Sequence, residues 1–73
     1  MQIFKISLEA ARVNAHLTQK EAAKQLGVSN KTLCKWELGK SFPTTKIIPK
    51  ICKLYNVPYD FLNFLPTDSL KEN

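Results

Sequence analysis

Histidine and cysteine are scarce in this chain of 73 residues, and their scarcity excludes metal and disulfide scaffolds. The single histidine is His16, and the two cysteines, Cys34 and Cys52, lie 18 positions apart without a CxxC spacing. A standard structural zinc site needs four such ligands at short spacings. We therefore expect no metal, and two reduced thiols in a cytoplasmic protein.

The chain also lacks the residue combinations of an enzyme and of a membrane protein. It has only two glycines, no glycine-rich phosphate loop, no pair of carboxylates placed for acid–base chemistry and no nucleophile with a base partner. No apolar run approaches the roughly 20 residues that cross a bilayer, and the first residues lack the apolar segment of a signal peptide. We expect no enzymatic activity, no cofactor, no small-molecule substrate and no membrane partner.

Positive charge is abundant, and it is concentrated in the middle of the chain. The formal net charge is +5, yet residues 18–53 hold eight lysines against two glutamates, a local charge of +6. Residues 1–17 carry +1 and residues 54–73 carry −2. A basic surface on a small domain favours a polyanionic partner, although a solvated lysine-rich face would give the same composition.

Three short helices are predicted by local start and stop signals. Ser7 can cap a helix over residues 7–14, and Thr18 with Glu21 has the spacing of a capping box for the second helix. Gly27 ends that helix, and Ser29 can cap a third over residues 29–38. Residues 18–38 are thus predicted to be two helices joined by a tight turn.

The second half of the chain gives weaker signals. A fourth helix is predicted over residues 46–55, where Pro49 requires either a late start or an irregular first turn. Pro58 can open a short fifth helix over residues 59–63. We expect one domain over residues 1–65, followed by a flexible tail over residues 66–73.

The stretch from Thr18 to Pro43 follows the pattern T-Q-x-E-x-A-x-x-L-G-V-S-x-x-T-L-x-K-W-E-x-G-K-x-x-P. This pattern resembles the phage repressor and Cro type of helix-turn-helix, often called the XRE family, and the likeness covers about residues 6–65. The resemblance implies an all-α bundle of five helices whose third helix enters the major groove of DNA. It also implies a transcriptional regulator, a repressor of phage or mobile-element type, acting as a homodimer on a palindromic operator.

Individual roles follow from positions that match the family pattern. The resemblance implies base contacts from Ser29, Asn30, Lys31 and Lys35, and phosphate contacts from Gln19, Thr32, Lys40 and Lys46. The chemistry is suitable, because lysine can donate to the acceptors of guanine and an asparagine amide can pair with adenine. Arg12 and Glu37 match a structural ion pair between the first and third helices.

Several residues leave a choice of interpretation. Trp36 could stack on bases, but its spacing from Leu33 favours a core position. His16 is interpreted as a turn residue, and Cys34 as a flank residue of the third helix. Four apolar residues near the end could form a dimer contact or pack back on Phe4 and Ile6, in a short two-stranded pairing: Tyr59, Phe61, Phe64 and Leu65.

The alternative function is a protein-interaction module of the same fold, such as an antirepressor or an antitoxin component. Such a module would depend on residues 61–65 and not on the lysines of the third helix. A DNA-binding protein would instead lose affinity steeply with salt and would depend on Lys31 and Lys35.

Overall fold

A computed structural model of the chain describes residues 5–64. Within that range the backbone forms four α-helices, a single 3-10 turn and two short strands. The elements in chain order are β1 (Ile6–Ser7), α1 (Leu8–Asn14), α2 (Gln19–Leu26), α3 (Asn30–Leu38), α4 (Ile48–Tyr55), the 3-10 turn (Tyr59–Phe61) and β2 (Leu62–Asn63).

Side-chain caps begin the first three helices, because each cap oxygen satisfies a backbone N–H that has no partner within its helix. Ser7 Oγ accepts from the N–H of Ala10 at 3.0 Å. At α2 the capping box is complete, since Thr18 Oγ1 accepts from the Glu21 N–H at 3.1 Å and Glu21 Oε1 accepts from the Thr18 N–H at 2.8 Å. Ser29 caps α3 in the same way.

A residue in the left-handed region comes directly after α2, α3 and α4, and two positions after the end of α1. Gly27 and Gly39 both have φ of 77°, which glycine adopts without steric strain, and they end α2 and α3. Asn56 (φ 57°) ends α4, and His16 (φ 62°) follows α1. His16 is exposed within the turn between α1 and α2, as predicted.

The core lies where α1, α2, α3 and α4 meet. The alanines on α1 and α2 let the helices approach closely, whereas the larger side chains fill the centre. Leu33 and Ile51 are completely buried, and the full set of buried apolar residues is Leu8, Ala11, Ala22, Ala23, Leu26, Leu33, Trp36, Ile51, Tyr55 and Leu62.

Two predictions about the second half of the chain are corrected. The fourth helix begins at Ile48, after a turn at residues 45–47, so Pro49 falls in the first helical turn, where its missing N–H has no cost. The predicted fifth helix over residues 59–63 is wrong. Only one 3-10 turn forms, and Leu62 at once adopts an extended conformation (ψ 133°).

The chain after that turn pairs with the strand before α1. β1 and β2 are parallel, with Ile6 opposite Leu62 and Ser7 opposite Asn63. The prediction of an all-α bundle of five helices is therefore wrong in its count, while the mostly helical character is confirmed. The alternative of a short two-stranded pairing with Ile6 is realised through Leu62. Phe4, Leu65 and the predicted tail over residues 66–73 lie outside the described residues.

Candidate nucleic-acid interface

The helix-turn-helix unit consists of α2, the turn over residues 27–29 and α3. Among the described elements, α2 packs most extensively on α3. Ala22 and Ala23 are buried, so no large side chain separates the two helix axes. The turn backbone is fixed by the left-handed Gly27 and by the bond from the Val28 N–H to the Ala23 carbonyl at 3.0 Å. The arrangement packs α3 directly against α2.

The helix α3 has one buried face and one cationic face. Leu33 is 0% exposed and Trp36 is 7% exposed, so the indole is a core residue and the stacking alternative is excluded for this structure. Lys31 and Lys35 are both exposed. At 100° per residue, they lie on the side of α3 opposite Leu33 and one helical turn apart. Two ammonium groups therefore project together from a helix whose other side is fixed.

The N-terminus of α3 carries a small hydroxyl network. Ser29 Oγ accepts from the Thr32 N–H at 3.0 Å and donates to Thr32 Oγ1 at 2.9 Å. Both hydroxyl groups thus bond each other within the cap at the start of α3. Asn30, the first residue of α3, is exposed beside them.

Glu37 connects three helices from the buried side of α3. The Arg12 guanidinium donates from Nε to Glu37 Oε2 at 2.7 Å and from Nη2 to Oε1 at 3.4 Å. Gln19 Nε2, on α2, donates to the same Oε1 at 2.9 Å. Arg12 Nη1 also donates to the carbonyl of Leu17 at 2.9 Å. The ion pair expected between α1 and α3 is thus present, and α2 and the α1–α2 turn are joined to it.

The carboxylate of Glu37 stabilises the charged form of the Arg12 guanidinium. The hydrogen bond that Arg12 donates to Glu37 raises the pKa of Arg12 above its ordinary value, against the opposing effect of burial. The side chains of Arg12 and Glu37 are only 11% and 5% exposed, whereas Glu9, 3.9 Å from Arg12, is 65% exposed. The Arg12–Glu37 pair is consequently the interior one, and the contact with Glu9 is a surface contact.

Gln19 and Tyr55 have roles that the sequence did not reveal. The Gln19 amide, expected at phosphate, donates one N–H to Glu37, so a second amide N–H and its backbone N–H are left for a ligand. Tyr55 is 3% exposed, and its hydroxyl has no hydrogen-bond partner among the described residues. Burial, with a smaller effect of Glu37, raises the pKa of Tyr55 to about 12. No local pattern signals the Gln19–Glu37 bond or the burial of the Tyr55 hydroxyl, since both depend on how separate helices pack.

Two of the lysines predicted to contact phosphate, Lys40 and Lys46, lie in the segment between α3 and α4. Lys40 follows Gly39 directly, and its N–H donates to the Lys35 carbonyl at 2.9 Å, which fixes the start of the loop. Lys46 lies in the turn before α4, and both lysine side chains are exposed. Phosphate contact by these two residues remains a prediction.

Residues 5–64 contain neither a cluster of metal ligands nor a helix that could span a membrane. In that range no three histidine, cysteine or acidic residues cluster as a metal site would require. Nor does any described helix have the length and apolar character to traverse a bilayer. Cys34 and Cys52 are free and half-buried, and burial raises the pKa of the Cys52 thiol.

Comparison with known proteins identifies the family. A family model described as helix-turn-helix matches residues 8–62, most of the chain. The chain belongs to the helix-turn-helix family. An HTH-type transcriptional regulator of Methanocaldococcus jannaschii is 42% identical over 53 residues, which are 73% of this chain and 80% of that protein.

Two further relatives are longer proteins. The HTH-type transcriptional regulator ImmR of Bacillus subtilis is 42% identical over 55 residues, 75% of this chain and 43% of ImmR. The HTH-type transcriptional activator BcrR of Enterococcus faecalis is 37% identical over 59 residues, 81% of this chain and 29% of BcrR. The chain therefore matches less than half of either protein. No solved structure matches the chain significantly.

Proposed function

We propose that this protein is a sequence-specific DNA-binding transcriptional regulator and that α3 is the helix that contacts bases in the major groove. The observation that carries the proposal is the geometry of α3, where Lys31 and Lys35 are exposed on the side opposite the buried Leu33 and Trp36. An α-helix fits the major groove, and lysine can donate to the O6 and N7 acceptors of guanine. The names of the relatives, all HTH-type transcriptional regulators, support the same function.

The proposed base contacts come from the exposed N-terminal part of α3. Lys31, Lys35 and Asn30 would donate to base edges, with adenine the natural partner of the asparagine amide. Ser29 would contribute through its hydroxyl, which is shared with Thr32. Because lysine is a flexible point donor, the preference for guanine at each contact should be modest.

The proposed phosphate contacts flank α3 on both sides. Thr32 has a hydroxyl at the N-terminus of α3, and Gln19 has a free amide N–H at the N-terminus of α2, where backbone N–H groups also point outward. Lys40 and Lys46 would bind the phosphates across the α3–α4 loop. Such contacts position the protein on the duplex and make affinity fall with salt, by a log–log slope of about −0.9 per neutralised phosphate.

The proposed assembly is a homodimer on a palindromic operator. Two α3 helices would then lie about 34 Å apart, one turn of B-DNA. Tyr59 and Phe61 are 58% and 47% exposed, which leaves them available for a partner. Phe64 is half-buried against the core, and its ring centroid lies 6.0 Å from that of Tyr59. We assign the dimer contact to Tyr59 and Phe61 and the internal packing to Phe64.

We further propose that the protein acts as a repressor of the phage or mobile-element type, in the cytoplasm and by binding alone. Occupancy of an operator that overlaps a promoter requires no chemistry beyond the α3 surface. A promoter–reporter fusion with the selected operator tests the sign of regulation, because repression lowers expression and activation raises it.

The decisive experiment is selection of bound sequences from random duplex DNA at a stated salt concentration. Two mirrored half-sites with centres about 10 base pairs apart support the dimer, and a single short site contradicts it. On the selected duplex, we expect Lys31→Ala and Lys35→Ala each to weaken binding by about 1–3 kcal/mol per half-site.

Lys5→Ala is the matched control, since Lys5 is also an exposed lysine but precedes β1. It should change affinity little. Circular dichroism should show that each variant remains folded. If Lys31→Ala and Lys35→Ala bind the duplex as tightly as the unchanged protein, α3 is not the contacting helix. A protein-interaction function that depends on Phe61 would then be favoured.

A further inference from the structure

A second surface with the features of a binding site lies between α2 and α4. Gln25, Leu26, Lys50, Lys53 and Leu54 line an open groove of about 470 Å³. Leu26 is buried and Leu54 is half-buried, so the groove has an apolar floor. Lys50 and Lys53 are exposed at its rim, one helical turn apart on α4. None of the five residues belongs to α3 or to the proposed base and phosphate contacts.

Among the described residues that line this groove, the only charged ones are lysines. No aspartate or glutamate occurs between Gly39 and Tyr59, so α4 and both of its flanks carry only lysine. The one acidic residue of α2, Glu21, is hydrogen-bonded to the backbone N–H of Thr18. The lysines of the groove therefore have no carboxylate on their own helix, and their positive charge favours an acidic ligand.

The chemistry of the groove distinguishes among possible occupants. A second copy of the chain, placed by a two-fold axis on this surface, would set lysine against lysine, which opposes association. A DNA backbone would satisfy the lysines but has no apolar group for the floor formed by Leu26 and Leu54. An acidic protein segment with a leucine-type side chain provides both carboxylates and an apolar group.

We propose that the α2–α4 groove binds an acidic amphipathic segment of a partner protein. Its apolar side chain would lie over Leu26 and Leu54, and its carboxylates would pair with Lys50 and Lys53. This surface is separate from α3, so the regulator could contact DNA and a protein at the same time. The inference does not depend on the proposed DNA contacts.

The test uses a synthetic probe and the whole chain. The probe is an amphipathic helix of leucine and glutamate of about four turns, roughly 14 residues. A second peptide has lysine in place of every glutamate. Two-dimensional NMR of the isotope-labelled protein should show amide shifts at Gln25, Leu26, Lys50, Lys53 and Leu54 with the acidic peptide, and none with the basic peptide.

Matched double variants separate the groove from general charge attraction. Lys50→Gln with Lys53→Gln should weaken peptide binding about five- to tenfold, as expected for two exposed ion pairs. Lys5→Gln with Lys20→Gln removes the same charge from exposed positions outside the groove and should change affinity less than twofold.

Three results would overturn the proposal. One is the absence of groove shifts with the acidic peptide, and another is an equal loss of peptide affinity in the control double variant. The third concerns DNA: if Lys50→Gln with Lys53→Gln weakens duplex binding as strongly as peptide binding, the surface belongs to the nucleic-acid interface. Failure of the α3 assignment is detected separately, by the duplex affinity of Lys31→Ala and Lys35→Ala.

Discussion

Removal of Arg12 is the sharpest test of how this domain holds α3 against α1 and α2. The guanidinium donates two hydrogen bonds to Glu37 and one to the Leu17 carbonyl. In Arg12→Ala the carboxylate of Glu37, on a side chain only 5% exposed, would keep a single donor, Gln19. Loss of one partner of a buried pair costs about 3–5 kcal/mol, mostly because the remaining charge stays desolvated.

That loss is large relative to the free energy of unfolding of the whole domain. At about 0.05–0.15 kcal/mol per residue, a chain of 73 residues has a free energy of unfolding of about 4–11 kcal/mol. Each kcal/mol corresponds to about 4–8 °C in Tm at this size. We therefore expect Arg12→Ala to lower Tm by at least about 12 °C in thermal unfolding followed by circular dichroism, and to leave a substantial unfolded fraction at physiological temperature.

Three further variants test the reason for the effect. Arg12→Lys keeps the charge but cannot form the forked contact, so its stability should lie between those of the unchanged protein and Arg12→Ala. Arg12→Met with Glu37→Leu removes both charges and should recover most of the lost stability. Glu9→Ala removes only the exposed carboxylate at 3.9 Å and should change the free energy of unfolding by less than about 1 kcal/mol.

Two outcomes would refute this reasoning. A cost of less than about 1 kcal/mol for Arg12→Ala would mean that the carboxylate of Glu37 finds water or another donor readily. A double variant as unstable as the sum of both single losses would mean that the two residues stabilise the domain independently and not as a pair.

Three other predictions concern single residues. Tyr55→Phe removes a buried hydroxyl without a partner among the described residues, so chemical unfolding should show equal stability or a gain of up to about 1 kcal/mol. Burial raises the pKa of Tyr55 from 10.0 to about 12, so the unchanged protein should lose stability between these pH values. Tyr55→Phe should not show this loss. If both proteins lose stability equally over that range, the loss does not come from the Tyr55 hydroxyl. The hydrogen bonds from Thr18 lower the pKa of Glu21 below 4.5, so its contribution to stability is present above that pH and lost as the pH falls through the lower folded value. Glu21→Gln should flatten this part of an acid unfolding curve, and an unchanged acid slope would exclude the capping box as its source. Gly27→Ala places a Cβ in open space but at φ 77°, so denaturant titration should show a loss of about 1–2 kcal/mol from backbone strain alone; a loss near zero would show that the turn changes its conformation.

The candidate site was largely predictable, because its signals are local. Ser7, Thr18 and Ser29 bond backbone N–H groups three residues away, so the starts of α1, α2 and α3 follow from short stretches of sequence. The direction of Lys31 and Lys35 away from Leu33 follows from helical periodicity alone. Their contacts with DNA stay predictions, which the experiments above address.

The second half of the chain shows where local signals are insufficient. The helix α4 starts without a side-chain cap at Ile47, so no residue type marks its first turn, and Pro49 is compatible with several starting points. For residues 59–63, the sequence favoured a helix opened by Pro58, whereas Leu62 extends and pairs with Ile6. That pairing satisfies backbone groups of a segment 56 positions away and buries Leu62 in the core.

The amino-acid sequence by itself therefore determined the three capped helices and the cationic face of α3, because each depends on residues within about one or two helical turns. It also determined the family, because the pattern from Thr18 to Pro43 is a contiguous stretch of residue types. Tertiary structure alone decided the parallel β1–β2 pair, the attachment of Gln19 to Glu37 and the isolation of the Tyr55 hydroxyl. These features depend on which distant segments meet when the core closes. Residues adjacent in the sequence cannot determine which distant segments come into contact, because the free energy that favours those contacts comes from burial shared among all the helices.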